Sequence, residues 1–134
     1  MLRTRYPDTD DGPVQEVLPV ADAAPLLSAV EVSEALLPTR IAEMIGTGFD
    51  VTTSAPVRGR LFSVSPTDHV LVMVIHHISA DGFSMGPLTR DVMTAYASRL
   101  DGDIPTWSPL QVQYADYALW QREILGDEND PESA

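Results

Sequence analysis

The chain has 134 residues, a formal net charge of -12 and a hydrophobic share of 44%: enough for one modest domain, too much for global disorder. It has no cysteine and no lysine, so disulfides, thiolate metal sites, cysteine nucleophiles, Schiff bases and a phosphate-binding lysine are excluded within it. Scattered arginines on so acidic a chain argue against nucleic acid; no apolar run has membrane-span length and the first residues lack a signal-peptide core, so a cytoplasmic protein is expected.

In chain order, "LRTRY" (Leu2 to Tyr6) and "VQEVLPV" (Val14 to Val20) both alternate, and "PDTDDGP" between them is a dense turn signal. They predict a hairpin with a long acidic connection. "PLLSAVEVS" fits a further short strand. "SEALLPTRIAEMIGTGFD" predicts a helix, with Ser33 as candidate N-cap. Pro38 falls inside the pattern, so the helix is broken there or starts late, and it ends near Gly46 or Gly48. "VRGRLFSVS" (Val57 to Ser65) and "HVLVMVIHH" (His69 to His77) predict an antiparallel pair joined by a tight loop. The second is continuously apolar, the pattern of a strand covered on both faces.

After "SADGF" the period changes. Leu88, Val92, Tyr96 and Leu100 recur every four residues, predicting an amphipathic helix with Ser84 as N-cap and Pro87 in its first turn. "DGDIP" ends it. "SPLQVQYADYALWQREIL" predicts a second helix, apolar around most of its surface. The expected layout is one unit over 1–125 and an acidic loop or tail over 126–134.

The stretch "MVIHHISADGFSM" carries the chemistry. If the strand runs through His77, strand alternation sends His76 and His77 to opposite faces. That argues against a metal site built from the pair. His77 and Asp81 supply two ligands, and neither His69 nor any other nearby residue supplies an obvious third. Two readings remain open on the residues alone. One is a strand end with two ordinary histidines, followed by a capped helix, with Gly82 in a tight turn braced by Asp81. The other is a histidine general base, its ordinary pKa of about 6.5 lying near working pH, on a loop leaving a sheet edge.

"HHISADG" resembles the His-His-x-x-x-Asp-Gly motif of the condensation domains of non-ribosomal peptide synthetases. That motif is shared with the wider chloramphenicol-acetyltransferase-like superfamily. "LRTRYP" resembles the end of the family's Arg-His-Glu-x-Leu-Arg-Thr-x-Phe segment, "GFDVTTSAPVRGRLF" the stretch leading to the histidine strand, and "YADYALWQRE" its Tyr-x-Asp-Tyr-Ala-x-Trp segment. Phe83-Ser84-Met85, in place of Val-Ser-Trp, makes the chain similar to the subtype joining an L donor to an L acceptor.

The resemblance implies an α+β fold: a chloramphenicol-acetyltransferase-like lobe, with a mixed or antiparallel sheet and flanking helices, here incomplete. It implies a tunnel between two lobes, where an acceptor amine attacks a donor thioester. Both substrates ride on 4'-phosphopantetheine arms of peptidyl and aminoacyl carrier domains, and no cofactor is bound directly. The implied partners are those carriers, an adjacent adenylation domain and the C-terminal lobe of the same domain. Carried over, His77 is the catalytic histidine, His76 its structural partner, Asp81 the turn-bracing carboxylate held by an ion pair, and Gly82 the tight-turn residue. For Arg3 a structural ion pair is expected, for Asp116 a bracing or helix-surface role, and for Tyr114, Tyr117 and Trp120 a place in the core. Ser79 and Ser84 are candidates for substrate contact.

The chain departs from the family pattern by lacking the Arg-His-Glu-Ala portion and the second lobe. The expectation is therefore an N-terminal lobe fragment, inactive alone and prone to self-association. Two rivals stay in view: a coenzyme A-dependent acyltransferase of the same superfamily, and a non-catalytic fragment or docking module.

Overall fold

The computed structural model describes residues 1–24 and 27–126. The chain divides into two compact units, the first running from Met1 to Gly86 and the second beginning at Pro87. The acidic tail expected over 126–134 lies outside the described residues from position 127 on, as do Pro25 and Leu26 of the "PLLSAVEVS" segment.

The first unit opens with the expected hairpin. Strand β1 (Thr4–Arg5) pairs antiparallel with β4 (Glu16–Val17), while β2 (Asp8–Thr9) and β3 (Gly12–Pro13) form a smaller hairpin inside the connection. Gly12 turns it at φ +99, a conformation open to glycine because it has no Cβ. Arg5 closes the outer pair through Glu16, at 3.0 Å from each of two guanidinium nitrogens. A four-residue helix, α1 (Val20–Ala23), follows; the alternation of "VQEVLPV" does not signal it.

The main sheet has three strands in the order β5-β6-β7, built from β5 (Ala29–Glu31), β6 (Val57–Ser63) and β7 (His69–Ile75). β5 lies parallel to β6, and β6 antiparallel to β7 with Val57 opposite Ile75 and Ser63 opposite His69. Joining parallel β5 to β6 requires a crossover, and α2 (Leu37–Gly46) provides it. Leu37, Ile41 and Met44 are its half-buried residues, the spacing of one helical face. The helix starts late: Leu36 is the N-cap and Pro38 sits in the first turn, where its missing N–H costs nothing. Ser33 is not the cap. Its carbonyl accepts from the Leu36 and Leu37 amides, making a turn before the helix.

Directly opposed residues share a sheet face, so Arg58, Arg60 and Phe62 lie with Val74, Val72 and Val70. Arg58 reaches the Met44 carbonyl of α2, which identifies this as the helix-covered face. Phe62, 5% exposed, is its buried apolar anchor. The double coverage expected of β7 is not found. It is an edge strand, none of its residues is buried, and His69 and Leu71 are exposed. A continuous apolar run reports that both faces tolerate burial; α2 covers only one of them.

Helix α3 (Gly82–Leu100) begins in the first unit and continues into the second. Pro87 is its sixth residue, past the first turn where the sequence pattern put it, at the division between the units. The helix ends in a Schellman motif: the Asp103 amide donates to Ser98 O at 2.8 Å and the Gly102 amide to Arg99 O at 3.2 Å, with Gly102 at φ +82. Helix α4 (Tyr114–Leu125) is shorter than its apolar pattern, starting at a capping box. There the Gln113 amide donates to Asp116 at 2.8 Å. Among the described residues, no helix is long and apolar enough to cross a membrane.

Candidate active site

The two histidines lie just past the end of β7, at the junction with α3. The strand ends at Ile75, so the alternation that would have separated the pair does not reach them. One ladder bond persists: the His76 amide donates to Pro56 O at 2.9 Å. The chain then turns, the Ser79 amide donating back to His76 O at 3.0 Å. Within that turn the two imidazoles part company. His76 is half-buried; its Nδ1 accepts from the Ile78 amide at 3.1 Å, and its ring meets Phe49 edge-to-face at 6.0 Å. His77 is exposed. A nitrogen that accepts an amide hydrogen carries no proton, so the neutral His76 ring holds its proton on Nε2.

The Asp-Gly corner differs from the expectation in two ways. Gly82 is the first residue of α3, not a tight-turn residue. It does not have positive φ, and a Cβ there would meet nothing within 4 Å. Asp81, rather than Ser84, caps the helix. Its carboxylate accepts from the Ser84 amide at 2.9 Å and the Ser84 hydroxyl at 2.7 Å, while the Asp81 amide donates to Ser84 Oγ at 3.1 Å. That is a reciprocal capping box, with the serine at the third helical position. The hydroxyl and amide of Ser84 hold the Asp81 carboxyl below the ordinary carboxylate range. Asp81 is thus braced by its own helix, and among the described residues it has no ion-pair partner.

Ser79 is buried at 9% exposure, its hydroxyl 3.5 Å from the Tyr6 hydroxyl. Tyr6 is held in turn by its amide, which donates to Val51 O at 2.7 Å. Arg3 makes no ion pair among the described residues; its guanidinium donates to Leu18 O at 2.7 Å and braces the outer hairpin.

Four of the residues singled out from the sequence lie on α4, away from this junction in the chain. Asp116 takes part in the capping box at the helix start. Tyr114, Tyr117 and Trp120 are not core residues: they are 48%, 45% and 55% exposed. They line one helix face with successive ring centroids 5.7 Å apart. A helical spacing of aromatics places them on one side without covering that side.

Two residues at the histidine junction escaped sequence reading. Phe49 is the aromatic neighbour of His76. Arg58 lies over the Phe49 ring, 4.3 Å from its centroid, and donates to the carbonyls of Met44, Thr47 and Gly48. The linear pattern does not single Arg58 out, since β6 carries a second arginine, Arg60, which is exposed. Among the described residues, no cluster of three or more His, Asp or Glu is placed to hold a metal ion.

This junction of strand, histidine pair and Asp-Gly cap coincides with a family-wide match: the family model "Condensation domain" matches residues 1–133. The chain belongs to the condensation-domain family. It is 52% identical over 98% of its length to a probable non-canonical nonribosomal peptide synthetase, CymA, of Salinispora arenicola, covering 2% of that protein. It is 46% identical over 98% of its length to a dimodular nonribosomal peptide synthase of Bacillus subtilis, covering 6% of it. Among solved structures, the X-domain in its complex with OxyB, from teicoplanin biosynthesis, matches with a TM-score of 0.83 and 40% identity, over 92% of this chain and 27% of that one. The chain thus spans a small part of the length of the synthetases it matches, and the incomplete α+β lobe agrees with the fold of its structural neighbours.

Proposed function

We propose that this condensation-domain segment takes part in forming a peptide bond between a donor acyl thioester and the α-amine of an acceptor, both presented by carrier domains. The observation carrying the reading is the exposed His77 beside a His76 held on both sides, at the mouth of a helix capped by the motif's own aspartate. The amine nitrogen attacks the thioester carbonyl, the C–N bond forms, the C–S bond breaks, and the nitrogen gives up a proton as the thiol takes one. Thioesters are already activated, and an α-amine with a pKa near 8 is partly neutral at pH 7.5, so the barrier left is one of alignment and proton handling. His77 supplies both: it orients the amine and passes the proton of the tetrahedral intermediate.

His76 fixes the turn on which His77 sits, and Asp81 caps the helix that follows. The substrates arrive on 4'-phosphopantetheine, so the cofactor belongs to the carriers. The partners are donor and acceptor carrier domains, the C-terminal lobe and a neighbouring adenylation domain. The relatives support this reading by being synthetases of peptides.

The test is His77→Ala in a complete condensation domain carrying this segment, read as dipeptidyl-carrier formation by mass spectrometry. The expected loss is about a hundredfold or more, the usual worth of a positioned proton-transfer group, with some product remaining. A wild-type rate would overturn the assignment. A second reading, docking without chemistry, is favoured by one structural relative, an X-domain solved in complex with OxyB. It predicts unchanged partner binding and no condensation in either the wild type or His77→Ala.

A further inference from the structure

We propose that Phe49 and Arg58 are positioning residues for the histidine pair, acting through the orientation of the His76 ring. The inference rests on the reading of His77 as the group that meets the amine, and it adds residues that lie outside the histidine motif.

Arg58 enters from the second position of β6 and gathers the end of α2. Its guanidinium donates to Met44 O at 3.2 Å, Thr47 O at 3.1 Å and Gly48 O at 2.9 Å. Met44 O belongs to the last turn of α2, where carbonyls lack intrahelical amide partners and carry the negative end of the helix dipole, and Thr47 O and Gly48 O lie just beyond it. Bonding them fixes the path of the chain into Phe49. The same guanidinium lies over the Phe49 ring, its Cζ 4.3 Å from the centroid, a cation–π contact that a lysine could not reproduce together with the fork of carbonyl bonds.

Phe49 in turn stands at 84° to the His76 ring, with centroids 6.0 Å apart. It restricts one side of an imidazole whose Nδ1 receives the Ile78 amide. Ring rotation about the Cβ–Cγ bond would remove that acceptor and release the turn. His77 lies between His76 and Ile78 in sequence, so this turn sets where its imidazole points. The series Arg58, Phe49, His76, Ile78 amide therefore transfers the rigidity of the sheet and α2 to the residue proposed to handle the proton.

The series predicts separate effects on ring state and on rate. In a complete domain carrying this segment, with histidine imidazoles labelled with nitrogen-15, the wild type should show His76 as one tautomer, protonated on Nε2. Phe49→Ala should mix the tautomers and lower kcat by about tenfold to a hundredfold, the range expected of a misplaced reacting group, with KM for the acceptor little changed. Phe49→Tyr should restore both signals, and Arg58→Lys should show the same defect in weaker form. Phe49→Leu keeps most of the volume and serves if the alanine variant does not fold. The proposal is overturned if the His76 nitrogens are unmoved in Phe49→Ala and Phe49→Leu, or if they move while kcat does not. If His77→Ala itself condenses at the wild-type rate, the reading of His77 fails. The imidazole signals still report, independently, whether Phe49 holds His76.

Discussion

The Asp-Gly of the motif is a helix cap before it is anything else. Asp81 takes both the amide and the hydroxyl hydrogens of Ser84. Because those bonds favour the charged carboxylate, its pKa in the folded chain is lowered. A group whose pKa falls on folding contributes stability above its unfolded pKa and loses it as pH falls through the folded value. The α3 start should accordingly hold at neutral pH and loosen only on acidification below the ordinary carboxylate range. An NMR titration of the Asp81 carboxyl with its midpoint at or above that range would contradict this. Asp81→Ala should speed amide exchange at Ser84, while Asp81→Asn should largely preserve protection, since asparagine caps almost as well. Equal exchange in all three would show that the cap is idle.

The helices are ended by local chemistry as firmly as they are started. Gly102 sits at φ +82 in the Schellman closure of α3, where a β-carbon is disfavoured. Gly102→Ala should destabilise by about 1 kcal/mol, seen as a lower midpoint in urea with an unchanged slope. A midpoint at the wild-type value would mean the left-handed turn is not held in solution. Pro87 marks the other end of the scale of tolerance. At the sixth position of α3 it removes an amide that would otherwise bond within the helix, and the boundary between the two units falls beside it.

Large side chains stay in contact with solvent along both α3 and α4. Phe83 is 92% exposed, and Leu100 and Leu119 are each 69% exposed. Trp107 and Trp120, the only tryptophans, are 52% and 55% exposed. In the isolated 134-residue chain, tryptophan emission should therefore resemble that of indole in water and be readily quenched by acrylamide. Exposed apolar surface of this kind also predicts a molecular mass in light scattering that rises with concentration. Blue-shifted emission with a constant monomer mass would show that the chain buries these faces by itself.

Much of this organisation was readable in the linear chain because its causes are local. The alternation of "LRTRY" and "VQEVLPV", the turn residues between them, the apolar run ending at the histidines and the glycine after Leu100 each specify backbone conformation through neighbouring residues. The motif that assigns the family is equally local. What required the fold was everything that depends on which surfaces meet. Periodicity could not reveal that β7 is an edge strand, that Tyr114 and Trp120 are solvent-facing, or that Arg3 bonds a carbonyl instead of a carboxylate. Nor could it separate the histidines, whose strand stops one residue before the pair. Their different surroundings come from Phe49, 27 positions away from His76, and from Arg58 beneath it, residues brought together by the crossover of α2 onto the sheet. A side chain's neighbours along the chain set its conformational preferences; its burial and its partners are fixed by contacts between distant segments, and those exist only once the strands have paired.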